Sequence, residues 1–143
     1  MAYTVNSYMD KTVNTIREEA TVTEAAKAMA EKQIDYLIVL KEGKPVGIVT
    51  ERDFVNKVLA RETNPSLIEI KAIMSTPLIT IDPDEDLLRA SDLMRNYKIR
   101  KLPVTRDGII YGILTATNIA QKCALYVDRT IKDIVRWTAP LGV

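Results

Sequence analysis

Two stretches of the sequence, "GIVTERD" (Gly47 to Asp53) and "GILTATN" (Gly112 to Asn118), share the spacing Gly-apolar-apolar-Thr-x-x-(Asp or Asn). A hydroxyl followed three residues later by a carboxylate or amide can do two things. It can cap a helix, because such side-chain oxygens accept hydrogen bonds from the free N–H groups of a first turn. It can also face a ligand, because a helix N-terminus offers free N–H groups and the positive end of a dipole, which suits a phosphate. Thr50 and Thr115 stand where a strand gives way to a helix, and both uses are open to them. Gly47 and Gly112 remove a side chain where a base or a neighbouring strand comes close, and close packing is the simpler account.

The run Glu51-Arg52-Asp53 resembles a pair of catalytic carboxylates, but its surroundings argue against catalysis. The sequence has no histidine and one cysteine, Cys123. It therefore offers neither a nucleophile–base pair nor a set of metal ligands, and we expect no enzyme activity, catalytic residue or metal site. The 143 residues carry a net charge of +1, too balanced for sequence-blind nucleic-acid binding. A single cysteine forms no internal disulfide, and there is no bilayer-length apolar run or signal-peptide pattern. The expected location is the cytoplasm.

The elements that must position these residues come in two copies. A shift of 65 positions lays Gly47 on Gly112, Thr50 on Thr115, Met9 on Met74, Met29 on Met94 and Leu37 on Leu102, without a gap. Each copy reads β-α-β-β-α. A short strand ("TVNTI", "LITI") precedes a helix with apolar residues at Val22, Ala25 and Met29, or at Leu87, Ala90 and Met94. Thr21 and Glu24 have capping-box spacing. "KEGK" and "RDGI" are hairpin turns between the next two strands. A second helix then opens at the repeated Thr, carrying Phe54, Val55, Val58 and Leu59, or Ile119, Cys123, Ala124 and Val127. The predicted fold class is α/β (α+β), with two tandem units and small sheets flanked by helices. The copies span 1–62 and 63–127, with 63–76 as linker and short helix, and 128–143 as a helical tail. Ser66 and Glu69 are expected to cap the short helix after Asn64-Pro65.

The ordered set, with "IRKLPV" before the second hairpin, resembles the CBS domain pair, or Bateman module, over roughly Val5 to Val127. The resemblance implies two units related by a pseudo-two-fold axis, with clefts between them that bind adenosine derivatives: AMP, ADP, ATP or S-adenosylmethionine. Such a ligand would be regulatory, and no other cofactor is implied. By resemblance Asp53 accepts from both ribose hydroxyls, with charge assistance. Asn118 does so without the charge, and Thr50 and Thr115 face ribose or phosphate. Arg100 and Lys101 would meet phosphate; the same positions of the first copy hold Asp35 and Tyr36, so the clefts should be unlike. Thr15, Ile16 and Ile38, with Thr80, Ile81 and Pro103, match the positions that hold the base, and Gly47 and Gly112 lie beside them. Such residues are more often plain core.

The resemblance also implies a disc-like homodimer with an unknown effector protein as partner. The apolar arc of Phe54, Val55, Val58 and Leu59 is wider than one core needs, in keeping with a dimer. Two rivals stay open: an interaction module with degenerate clefts, and RNA or DNA binding, suggested only by Arg100, Lys101, Lys132 and Arg136.

Overall fold

The computed structural model describes residues 3–123. In chain order its helices and strands are α1 (Val5–Tyr8), β1 (Thr15–Arg17), α2 (Val22–Lys32), β2 (Tyr36–Lys41), β3 (Lys44–Thr50), α3 (Glu51–Phe54), α4 (Leu87–Tyr97), β4 (Lys101–Arg106), β5 (Ile109–Thr115) and α5 (Ala116–Cys123). This is the expected α+β class, small sheets with flanking helices. The chain forms two packed units. One runs through residues 13–79; in the other, residues 3–12 join residues 80–123.

In the 13–79 unit, β1 runs parallel to β2, and β2 antiparallel to β3. The hairpin turn places Glu42 at φ 50° and Gly43 at φ 79°. Positive φ at both central residues is what a two-residue turn between twisted strands requires. Thr21 caps α2 as expected, accepting from the Glu24 N–H at 3.1 Å. The helix buries Val22, Ala25 and Met29 against Leu37, Val39 and Val49 of the sheet. Val58, Ile70 and Ile73 complete that core.

The segment after α3 corrects the expectation of one short helix capped by Ser66 and Glu69. It forms two 3-10 turns, Pro65–Leu67 and Ile70–Ala72. Asn64 is the cap of the first, its Oδ1 accepting from the Ser66 N–H at 3.0 Å. The Ser66 hydroxyl instead meets the Thr23 hydroxyl at 3.1 Å. Pro65 fits the first position of such a turn because no partner is needed for its missing N–H.

The second unit repeats the plan with one loss. Asp86 caps α4, accepting from the Arg89 N–H at 2.9 Å, and Leu87, Ala90 and Met94 are buried. β4 and β5 form a hairpin whose turn, Asp107 and Gly108, again has positive φ. The strand expected at "LITI" shrinks to a single parallel bridge, Ile81 to Val104. The reason is local. Asp82 Oδ1 accepts from the Asp84 N–H at 2.8 Å and turns the chain, and Pro83 has no N–H to pair. Arg106 grips this turn through both Asp82 and Asp84. The guanidinium holds the Asp82 carboxyl below its ordinary range, helped by the Asp84 backbone N–H.

The packed units group the chain differently from the linear copies 1–62 and 63–127. In the 13–79 unit the Ile70 N–H donates to the Ala20 carbonyl at 2.8 Å, and the Val22 N–H to the Ile68 carbonyl at 2.9 Å. In the other unit the Val5 N–H donates to the Glu85 carbonyl at 2.8 Å, and the Leu87 N–H to the Tyr3 carbonyl at 2.9 Å. Val5 and Ile70 are equivalent residues of the repeat, so the segment that opens each linear copy serves the core built mainly from the other copy's residues. The expected helical positions Ala124 and Val127, and the tail 128–143 with Lys132 and Arg136, lie outside the described residues. Among the described residues no helix is long and apolar enough to cross a membrane.

Candidate functional site

The first repeated motif sits where β3 passes into α3. Its Thr50 N–H donates to Asp53 Oδ2 at 2.9 Å. The other carboxylate oxygen, Oδ1, lies 3.0 Å from Lys57 Nζ, one helical turn on. Lys57 Nζ also donates to the Ile73 carbonyl at 2.8 Å, so the ammonium is fixed at two points. Asp53 is buried at 9% exposure, the one buried charged side chain among the described residues. Beyond Phe54 the helix widens into a π-turn, Val55–Leu59, a form that often marks functional positions. The Glu51 N–H donates to the Asp35 carbonyl at 3.2 Å, and Tyr36 pairs with Thr50 across the hairpin. Asp35 and Tyr36 are thereby held at the same turn.

The second motif has the same construction with different charges. The Thr115 N–H donates to Asn118 Oδ1 at 3.2 Å, and the Asn118 N–H donates to Thr115 Oγ1 at 2.9 Å. The Ala116 N–H donates to the Arg100 carbonyl at 2.9 Å, and Lys101 pairs with Thr115. Arg100 and Lys101 thus occupy, beside Asn118, the places that Asp35 and Tyr36 occupy beside Asp53. The unlike charges read from the sequence lie at corresponding points of two like turns.

The remaining candidates lie in the sheets or beside them. Thr15 is exposed, Ile16 half-buried and Ile38 fully buried, with Ile38 paired to both Thr15 and Ile48. In the other unit Thr80 is exposed and Ile81 buried, and the Ile81 N–H donates to the carbonyl of buried Pro103 at 3.1 Å. Both glycines are required by packing. A Cβ on Gly47 would meet the Ser75 carbonyl oxygen at 2.8 Å, and one on Gly112 the Asp10 carbonyl oxygen at 2.6 Å. Ser75 bridges to Ile48, and Asp10 to Ile113, so each opening segment adds a strand-like edge directly over a glycine. An open groove of about 590 Å³ adjoins the first turn, between Ala26, Met29 and Ala30 of α2 and Asp35, Glu51 and Phe54; neither Thr50 nor Asp53 lines it.

The sequence reading missed Lys57, and it missed the segments that cover the glycines. Two signals were present. Lys57 stands four residues after Asp53, the spacing of a helical ion pair. Met9 and Met74 are equivalent in the repeat, each one residue before the segment residue whose carbonyl covers the glycine, and the sulfur of each lies within 3 Å of where that Cβ would be.

Comparison with known proteins gives a consistent result. The CBS domain family model matches residues 5–60 and again 70–124. An uncharacterized protein of Methanopyrus kandleri is 39% identical over 115 residues, which is 79% of this chain and 58% of that protein. The chain spans about a third to two thirds of the length of three curated relatives that it matches. Among solved structures, a CBS domain pair in complex with 5′-methylthioadenosine and S-adenosyl-L-methionine superposes with TM-score 0.77 at 28% identity, covering 87% of this chain and 98% of that one. A hexameric CBS-CP12 protein from bloom-forming cyanobacteria superposes with TM-score 0.78 at 35% identity, covering 85% and 72%. With two family matches in tandem, arranged around two equivalent Thr-x-x-Asp/Asn turns, the chain belongs to the CBS domain family as a CBS pair.

Proposed function

We propose that this CBS pair is a non-enzymatic regulatory module that binds an adenosine-type ligand, AMP, ADP, ATP or S-adenosylmethionine, at its two Thr-x-x-Asp/Asn turns. The observation that carries this reading is the double construction of one turn, with an acceptor side chain held at the same place and unlike charges beside it. Capping alone explains the two acceptor side chains, and this reading takes the contrast between Arg100-Lys101 and Asp35-Tyr36 as a difference in the ligand charge that each turn favours. The adenosyl ligands of the structural relative support the choice of ligand class. In this reading Asp53 and Asn118 accept from ribose hydroxyls, and Thr50 and Thr115 flank ribose or phosphate. Arg100 and Lys101 meet phosphate, and Ile16, Ile38, Ile81 and Pro103 form apolar walls near the base. Regulation follows when the ligand favours one of two states of the module or its partner complex.

Changing Arg100 and Lys101 together to Ala tests the phosphate assignment. AMP and ATP affinity should fall by about tenfold or more, since a hydrogen bond to a charged group contributes roughly 1.5–3 kcal/mol, while adenosine affinity should hold. Equal losses for nucleotide and nucleoside would mean that the two side chains act through folding.

A second reading, an interaction module that pairs with its own copy, is favoured by Val55 at 53% and Leu59 at 67% exposure on the helix that follows the first turn. An isologous contact would cover them. Sedimentation should show a dimer at micromolar concentration, and Leu59→Lys should shift it toward monomer. A wild-type monomer would remove this reading.

A further inference from the structure

We infer that Lys57 is a specificity-determining residue of the Asp53 turn: by cancelling the carboxylate's charge, it lets this turn accept a phosphorylated ligand as readily as an uncharged nucleoside. The inference rests on the reading that Asp53 takes a ribose. It starts from an unusual arrangement. Asp53 is buried, yet its carboxylate is not left to be balanced by solvent. Thr50 N–H holds one oxygen and Lys57 Nζ the other, at 2.9 and 3.0 Å. The ammonium does not float, because the Ile73 carbonyl holds it from a separate segment at 2.8 Å. A lysine ammonium has three donors, and these contacts use two. The Lys57 side chain is 36% exposed, so the third donor can reach solvent or a ligand oxygen.

The electrostatic consequence follows from the shape of a nucleotide. Its ribose hydroxyls and its 5′-phosphate are about 7 Å apart, and a bare carboxylate on the hydroxyls would oppose the phosphate even across water-like screening. With Lys57 in place the pair is neutral. Asp35, Glu51 and the cation Arg52 are all exposed at this turn, and Lys57 is the cation in ion-pair contact with Asp53.

The test compares AMP with adenosine by calorimetry, following the binding that Asp53→Asn weakens. In Lys57→Met at low ionic strength, AMP affinity should fall at least about threefold relative to adenosine, the value for two like unit charges at that separation in bulk water. Lys57→Gln, which keeps donors for Asp53 and Ile73 without the charge, should show the same change in ratio. Lys57→Arg should keep the wild-type ratio. A purely structural role moves both affinities together, so an unchanged ratio in both neutral variants overturns the inference while the ribose reading stands. If the wild type binds neither ligand, or Asp53→Asn alters neither affinity, the ribose reading itself fails and the role of Lys57 falls with it.

Discussion

Ile70→Ala should lower the unfolding free energy by about 2–5 kcal/mol, the range for truncating a buried large aliphatic side chain. Ile70 is fully buried among Val22, Ala25, Met29, Leu37 and Val49. Its N–H is bonded to Ala20, and its neighbour Lys71 donates to the Glu18 carbonyl at 3.0 Å, so the backbone is fixed and the cavity cannot easily collapse. Leu67, three residues away and 82% exposed, is the internal control. Leu67→Ala should change stability by no more than about 0.5 kcal/mol. Denaturant unfolding of the two variants decides the matter. If Ile70→Ala costs no more than Leu67→Ala, the linker segment is not part of the 13–79 core.

Asp53→Ala should act on binding and stability at once. Removing the carboxylate should weaken adenosine-ligand binding at its turn by about tenfold or more, because the lost ribose bonds are charge-assisted. It also removes the acceptor of the Thr50 N–H and the partner of Lys57, so stability should fall by about 0.5–2 kcal/mol, as for a lost helix cap. Lys57 is partly exposed and can be rehydrated, which limits the cost of its lost partner. Asn118→Ala should weaken binding less, since neutral hydrogen bonds contribute about 0.5–1.5 kcal/mol. Melting and titration of the same protein separate the two roles. A lowered melting temperature with unchanged affinity would leave Asp53 as a cap alone.

What the sequence made legible was local. Thr21 and Glu24 are three residues apart, and "KEGK" and "RDGI" carry their turn geometry within four residues, so caps, hairpins and the buried stripe of α2 could be read directly. The charge contrast at the two turns was legible because Arg100-Lys101 and Asp35-Tyr36 occupy equivalent positions of an ungapped repeat. What escaped depended on distant partners. Nothing near Val5 says that its N–H will meet Glu85, eighty residues on, and nothing near Ile70 separates a linker helix from a core segment. The strand at "LITI" has the right residue types, but the turn of Asp82 and Pro83, gripped by Arg106, ends the pairing after one bridge. Lys57 was missed because its role needs the Ile73 carbonyl, which a linear reading assigned to a linker.

The glycines show the same division. Their repetition at equal spacing marked them as necessary, and the structure supplies the reason: an oxygen of a passing backbone lies within 2.8 Å of where each Cβ would be. They shape the sheet edge beside the turns, and in the proposed reading ligand contact falls to Thr50, Asp53, Thr115 and Asn118.

The central claim, that this CBS pair binds an adenosine-type ligand at these turns, is tested most directly by calorimetric titration of the wild-type chain with AMP, ADP, ATP and S-adenosylmethionine, with GTP as the control for base identity. At least one adenosine compound should bind saturably, GTP should not match it, and Asp53→Asn should weaken the binding. No heat of binding from any adenosine compound, or equal binding of GTP, would contradict the account.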